Sequence, residues 1–443
     1  MKNKSLVILF LLPLMSLKAQ DTAPISSSVF GGDNRIFIEQ SVRQGFYVPF
    51  TSRHQYTKHY SLYGLDLRIG PQTDGSEAWE KLFNDPSYGL LFRYEHNTLD
   101  SVKYEHRNEF GQAITDWVAL GDCYSIAGFL DGHFYNGKKW SFDYGFTFGI
   151  SFWPKYGNEF IGSPIDAHLA FQSGITLYVT DHLDFYTRIL FSHSSDGALK
   201  LPNYGTNILS GNVGIRYYPE SRPSVKDKKD KELETWYPTW SLNISNAFGL
   251  LQTNTRLHGK LPVEMSYYTA DYIQVGFTHH FHPKFCYNFG LEFGYTGETK
   301  VKYEQAYLRY IGDPYEESVL ETSLEEYSFP KSSHIAASLS FEVLYNKLAV
   351  CFGLGYYLSH GIYLGTNEHK TWGFTESSMT PFELQYLPTD YRNYFGRLGL
   401  KYYFGKDNRF YAGMSVKAHA SVDYIEWTIG THLFQHKGKN DKR

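Results

Sequence analysis

Between Ser141 and Phe152 every second residue is large and apolar. Phe142, Tyr144, Phe146, Phe148, Ile150 and Phe152 fall on one face, and Ser141, Asp143, Gly145, Thr147, Gly149 and Ser151 on the other. A strand turns successive side chains to opposite sides, so this alternation predicts a strand with one apolar and one polar face. Ile165 to Val179 repeats it, with Ile165, Ala167, Leu169, Phe171, Ile175, Leu177 and Val179 against Asp166, His168, Gln172, Gly174, Thr176 and Tyr178. Leu183 to Ser195, Thr206 to Tyr218, Asp271 to His279, Phe285 to Tyr295, Ala412 to Ala420 and Val422 to Leu433 follow the same rule. Apolar faces toward lipid and small or polar faces toward a lumen are the signature of a membrane barrel, whose tilted strands need about ten residues each. The pattern predicts an all-β fold, an antiparallel transmembrane β-barrel. About 14–16 strands fit the chain, and a single barrel is expected because one closure removes every sheet edge.

Composition sharpens this picture. Of 443 residues, 18 % are aromatic and 20 % charged, and beyond the N-terminus no apolar run is long enough for a membrane helix. A net charge of −4, with acidic and basic residues interspersed, gives no footprint for nucleic acid. Lys2 and Lys4, the apolar stretch Leu6 to Leu14 and Lys18-Ala19-Gln20 read as a cleaved signal peptide over residues 1–20. Together, a leader and a barrel pattern place the protein in the outer membrane of a Gram-negative bacterium. No cysteine closes the leader, so no lipid anchor is expected. Cys123, Cys286 and Cys351 suggest neither a disulfide framework nor a metal site.

The charged stretch 219–238, with Lys226 to Lys231 at its centre, divides the chain. It separates a first barrel half, 21–218, from a second, 239–434, and residues 435–443 form a polar tail. It reads as a solvated linker or periplasmic turn. Thr428 to Phe434 resembles the closing-strand signal of outer-membrane barrels. No residue-level repeat relates the halves.

Barrel turns are short on the periplasmic side and longer outside. Asn136-Gly137 and Thr180-Asp181-His182 are therefore periplasmic, Leu183 to His193 runs outward, and Asp196 to Gly205 is an extracellular loop. Parity then places His193 and Ser195 on the lipid side of the outer strand end, with Asn207 on the same face of the returning strand. Polar groups facing hydrocarbon are costly unless they lie near the interface with partners. Same-face neighbours on a strand stand about 7 Å apart, so a histidine two residues before a serine can reach and activate its hydroxyl.

The string from His193-Ser194-Ser195-Asp196-Gly197 through Pro202-Asn203 to Asn207 resembles the active-site segment of the PagL-type lipid A 3-O-deacylases. The likeness is greatest to the longer members in Bacteroidetes, the acyloxyacyl hydrolases. Ile161-Gly162-Ser163-Pro164-Ile165-Asp166-Ala167-His168-Leu169 is similar to the same branch, and the resemblance covers about residues 110–218 and returns near 411–433. It implies an ester hydrolase acting on lipid A or lipopolysaccharide, with Ser195 as nucleophile, His193 as general base, Asn203 as oxyanion-hole contributor and no cofactor. Two positions depart from the family pattern: Asn207 stands where a glutamate orients the histidine, and Asp196 where an asparagine follows the serine. Asp196 or Gly197 would then contribute from the loop, and Asp196 could supply the missing charge. In a serine protease, the amide for the acid costs about 10⁴ in turnover, so a slow enzyme, or an inactive one, is expected.

Other candidates are weaker. Ser359-His360 lacks a following serine at the right place, alternation splits His279 from His280 across the wall, and Glu426 turns inward into polar packing. A second reading is a barrel that has lost catalysis and serves as a channel or structural protein. A third is a surface-binding barrel, were Gly70 to Tyr88 and Gly297 to Ser332 extracellular loops. The sequence leaves oligomeric state open.

Overall fold

The computed structural model describes residues 35–49, 61–75, 78–98, 101–107, 113–158, 160–197, 199, 205–223, 238–252, 267–297, 299–307, 318–326, 329–360, 394–418 and 422–437. The signal-peptide reading and most of the charged linker lie outside these residues. The first half supplies β1 (Arg35–Tyr47), β2 (Ser61–Gln72), β3 (Ser87–Asn97), the hairpin β4 (Val102–Arg107) and β5 (Ala113–Val118), then β6 (Cys123–Asn136), β7 (Trp140–Phe152), β8 (Ile165–Tyr178), β9 (Leu183–Ser195) and β10 (Thr206–Tyr217). The second supplies β11 (Thr239–Gln252), β12 (Tyr267–His282), β13 (Phe285–Thr296), the hairpin β14 (Thr299–Tyr307) and β15 (Ser318–Glu326), then β16 (Ser333–Tyr345), β17 (Leu348–His360), β18 (Tyr394–Phe404), β19 (Phe410–Ala418) and β20 (Val422–Lys437).

These strands close into two barrels, not one. The first runs β1-β10-β9-β8-β7-β6-β3-β2 and the second β11-β12-β13-β16-β17-β18-β19-β20. The expectation of a single barrel of 14–16 strands is therefore corrected: sixteen wall strands divide evenly. Closure comes from β1 pairing with β10, Val42 opposite Val213, and from β11 pairing with β20, Ile244 opposite Thr431. Two closures leave no wall edge unpaired, so the edge argument holds for two barrels as well as for one. The halves share a topology that residue comparison did not reveal. In each, a two-stranded hairpin is inserted between the third and fourth wall strands.

The alternation predicted from sequence is the alternation observed. Phe142, Ile150, Phe152, Ile165, Ile175, Leu177 and Ile189 are exposed, and Asp143, Thr147, Asp166, His168 and Arg188 are buried. The exterior is thus apolar on both barrels, as a lipid-facing surface requires. β20 continues past the expected end at Leu433 and carries the second barrel into the supposed tail. A register shift against Trp240 and Leu242 accompanies a positive φ of 51° at Phe434, which stands exposed at the bulge. Residues Thr73 to Pro86, with helix α1 (Ala78–Leu82), lie at the end of the short turns: Asn84 Nδ2 donates to His133 O at 2.9 Å. Gly70 to Tyr88 is therefore not an extracellular loop. Of Gly297 to Ser332, the described residues include the hairpin β14-β15, which follows β13 at the opposite end.

Buried ion pairs cross the interior of both barrels. In the first barrel Glu39 holds Arg68 at 3.0 Å, Arg188 at 2.6 Å and Arg216 at 2.8 Å, and Arg68 also reaches Asp131 at 2.8 Å. Arg93 pairs with Asp66 and Arg43 with Glu95, each at 2.8 Å. Above these, Tyr47, Leu62, Leu120, Trp153, Phe160, Ile161 and Ile208 form an apolar plug at the outer end. In the second barrel Arg397 bridges Glu292 and Glu426, and Lys401 meets Glu342.

A few residues of outward parity are buried, so something beyond their own barrel covers them. Leu130 on the first barrel and Tyr345 and Val350 on the second are each less than a tenth exposed, and they pack in one cluster with Phe83. The rings of Phe83 and Tyr345 stack with centroids 4.0 Å apart. The two barrels thus meet through lipid-facing residues near the end of the short turns.

Candidate active site

The outer ends of β9 and β10 are joined by residues 196–205, and register places His193 directly opposite Asn207. Both side chains point outward, since the neighbours Ser192, Ser194, Thr206 and Ile208 turn into the barrel and are buried. His193 Nδ1 donates to Asn207 Oδ1 at 2.8 Å. An amide oxygen only accepts, so this bond keeps the proton on Nδ1 and makes Nε2 the basic nitrogen of the ring. That is the tautomer a general base needs toward a hydroxyl on its other side.

Ser195 shares the outward parity, two residues on, and its hydroxyl accepts from the Gly197 amide at 3.1 Å. Gly197 has a φ of +71° and Gly205 of +66°, a conformation that favours glycine. Gly205 is doubly constrained, because a Cβ there would lie 2.8 Å from Ser194 O and 3.1 Å from both His193 Cε1 and Ser195 Cβ. Its amide donates to Phe160 O at 2.9 Å, and Asn207 O accepts from the Val48 amide at 2.8 Å. The pair is therefore held from three sides by the loop before β8, the end of β1 and the barrel wall.

Lipid-facing neighbours complete the surroundings. Across the sheet, Ser195 lies opposite Ala167 and His193 opposite Leu169 on β8, and Ala167 in turn lies opposite Ile150 on β7. A small residue, Ala167, thus stands between Leu169 and Ile150 on the apolar face beside the serine.

Of the sequence-predicted site residues, His193, Ser195, Asn207 and Gly197 come together. Asn203 lies outside the described residues. Asp196 is buried, and the ring nitrogen expected to need a partner is engaged by Asn207. Asp166 and His168 are inside the barrel, where His168 Nδ1 pairs with Ser194 Oγ at 3.0 Å and Nε2 with Arg93 at 3.1 Å. Two contributors were missed. Gly205 had a legible signal, a glycine at the loop end before a strand. The start of β20 had none, because its contact with Gly197 crosses between barrels: a Cβ on Gly197 would stand 3.3 Å from Tyr424 Cα and 3.4 Å from Ile425 N. Among the described residues no cluster of three metal-ligating side chains occurs, and His279 and His280 diverge, to Tyr287 and toward His432. Glu426 is buried among Arg397, Tyr272 and Ser415 as expected.

No protein-family model matches the chain, and no curated protein matches it. Solved structures with some likeness include the toluene transporter TodX of Pseudomonas putida, 9 % identical over 91 % of this chain and 90 % of that one, with a TM-score of 0.18. The porin NanC is 9 % identical over 89 % of this chain and 99 % of that one, TM-score 0.14. A mutant ferric enterobactin receptor of Pseudomonas aeruginosa is 9 % identical over 90 % and 81 %, TM-score 0.23. Such values carry no argument about chemistry. The fold class, antiparallel all-β barrel, rests on the strand pairing itself.

Proposed function

We propose that the first barrel is a carboxylic-ester hydrolase of the outer membrane, removing an acyl chain from lipid A or a related lipopolysaccharide within its own leaflet. The observation that carries this reading is the His193 Nδ1 to Asn207 Oδ1 hydrogen bond, two residues from a serine on the same lipid-facing side. Ser195 Oγ attacks the ester carbonyl while its proton passes to His193 Nε2. The tetrahedral intermediate collapses as the proton moves on to the leaving sugar hydroxyl. Water from the loop side then cleaves the acyl-enzyme, again with His193 as base. Because Asn207 is neutral, it fixes the ring tautomer without a full charge to stabilise the imidazolium, and turnover is slow.

The second reading is a non-catalytic outer-membrane barrel, a channel or a structural or surface protein. Asn207 in place of an acid favours it. The ion pairs packed across both lumens favour its structural form over its channel form.

The test is mass spectrometry of lipid A from cells expressing wild type, Ser195→Ala and His193→Ala at matched outer-membrane levels. Loss of one acyl mass in wild type and in neither variant supports the hydrolase. Identical lipid A in all three supports the second reading in that host.

A further inference from the structure

Resting on the hydrolase reading, we infer that the second barrel is a positioning element for the nucleophile of the first, acting through Tyr424 and Ile425 at the outer start of β20. Gly197 links the two. Its amide donates to Ser195 Oγ at 3.1 Å, and its α-carbon face is seated on β20, where a Cβ would come within 3.3 Å of Tyr424 Cα and 3.4 Å of Ile425 N. With a φ of +71° and backbone so close, a side chain at position 197 is strained and requires the β20 backbone to give by a few tenths of an ångström.

Ile425 records the same contact from its own side. On β20 it shares outward parity with Trp427 and Ile429, which are 44 % and 61 % exposed, yet it is 8 % exposed. The backbone of the same residue, at its N, is where Gly197 is seated. Tyr424, of the opposite parity, is anchored inside the second barrel, where Lys417 Nζ donates to its hydroxyl at 3.2 Å. The backbone on which Gly197 rests is therefore fixed from within, and the Phe83–Tyr345 stack ties the barrels together at the other end. The second barrel's own seventh and eighth strands, β19 and β20, are joined by residues 419–421 and present Met414, Val416 and Ala418 outward, with neither histidine nor serine on that face. The copy without the pair supplies the surface on which the pair is aligned.

The experiment uses the full chain in detergent micelles, with diisopropyl fluorophosphate as a small probe of Ser195 and a p-nitrophenyl ester series for KM and kcat. Folding is scored by heat-modifiable gel mobility. Ile425→Ala lowers the rate of Ser195 phosphorylation and kcat about 10-fold, with KM and the preferred acyl length unchanged, as expected for lost alignment and not lost binding. Ile425→Val restores most of the rate, and Ile429→Ala leaves it at the wild-type value. Ile425→Thr, isosteric with valine but polar, provides the same reading should the alanine variant not insert. A labelling rate in Ile425→Ala or Ile425→Thr equal to wild type overturns the positioning role while leaving the hydrolase intact. A wild type that labels no faster than Ser195→Ala overturns the hydrolase, and this inference with it.

Discussion

At the scale of single residues, the site is a matter of which atom faces which. Asn207 Oδ1 lies 2.8 Å from His193 Nδ1, so the isosteric change Asn207→Asp places a carboxylate at the same distance. It is expected to raise turnover about 10²-fold or more, in the direction opposite to the roughly 10⁴ cost of the acid-to-amide change in a serine protease. Steady-state ester hydrolysis measures this, and an unchanged kcat would remove Asn207 from the mechanism. Parity gives a second comparison between adjacent serines. Ser194 points inward to His168 and Ser151, whereas Ser195 points outward. Ser195→Ala should abolish hydrolysis and Ser194→Ala should leave most of it. Gly205→Ala is expected to destabilise by about 1–3 kcal/mol, from a strained positive φ and contact with His193 and Ser195. It should depress kcat more than KM. The outward direction of His193, Ser195 and Asn207 was legible because side chains alternate strictly along a strand. The partner of His193 was legible only as a pairing, since which amide atom faces the ring depends on register and rotamer.

At the scale of elements, β9 shows how far periodicity reaches. Its limits, Leu183 and Ser195, and the outward set Phe185, Thr187 and Ile189 follow from sequence, and these three are exposed in the structure. Near the outer end the rule about faces persists while the rule about exposure fails. Phe191 and His193 are half-buried and Ser195 is buried, so neighbours outside the strand itself cover that face. Alternation is a local property and says nothing about such cover. The same limit explains Gly70 to Tyr88, whose length suggested an outer loop: the helix Ala78–Leu82 inside it packs at the short-turn end through Asn84 and His133. Lipid exposure of the β9 centre is directly testable. Ile189, 66 % exposed, replaced by lysine should cost about 2–4 kcal/mol of folding stability in a bilayer. Urea unfolding of protein inserted in lipid vesicles would show it, and a cost below 1 kcal/mol would mean that this face does not meet hydrocarbon.

At the scale of the whole molecule, closure is what sequence could not settle. Sixteen half-polar strands fit one wide barrel or two narrow ones, and the choice rests on whether β1 finds β10, some 160–180 positions away, or β20 near the end of the chain. Two narrow barrels leave interiors just wide enough for side chains to fill, and here charge fills them. Removing one partner of a buried ion cluster leaves the others uncompensated, at a cost of about 3–5 kcal/mol. Glu39 ion-pairs with three arginines at once, so Glu39→Gln should lower the urea midpoint of the first barrel sharply. The same packing bears on what the molecule does. A lumen crossed by Glu39, Asp131, Arg68, Arg188 and Arg216, with the buried cluster of Trp153, Phe160 and Ile161 above them, is an obstacle to ions. Wild-type protein in planar bilayers is therefore expected to show no steady single-channel conductance. Were Glu39→Gln to remain folded and still not conduct, the plug alone would suffice to seal the barrel. Steady conductance of the wild type would instead require the ion pairs to part, and would turn the functional question from the outer surface, where Ser195 lies, to the lumen.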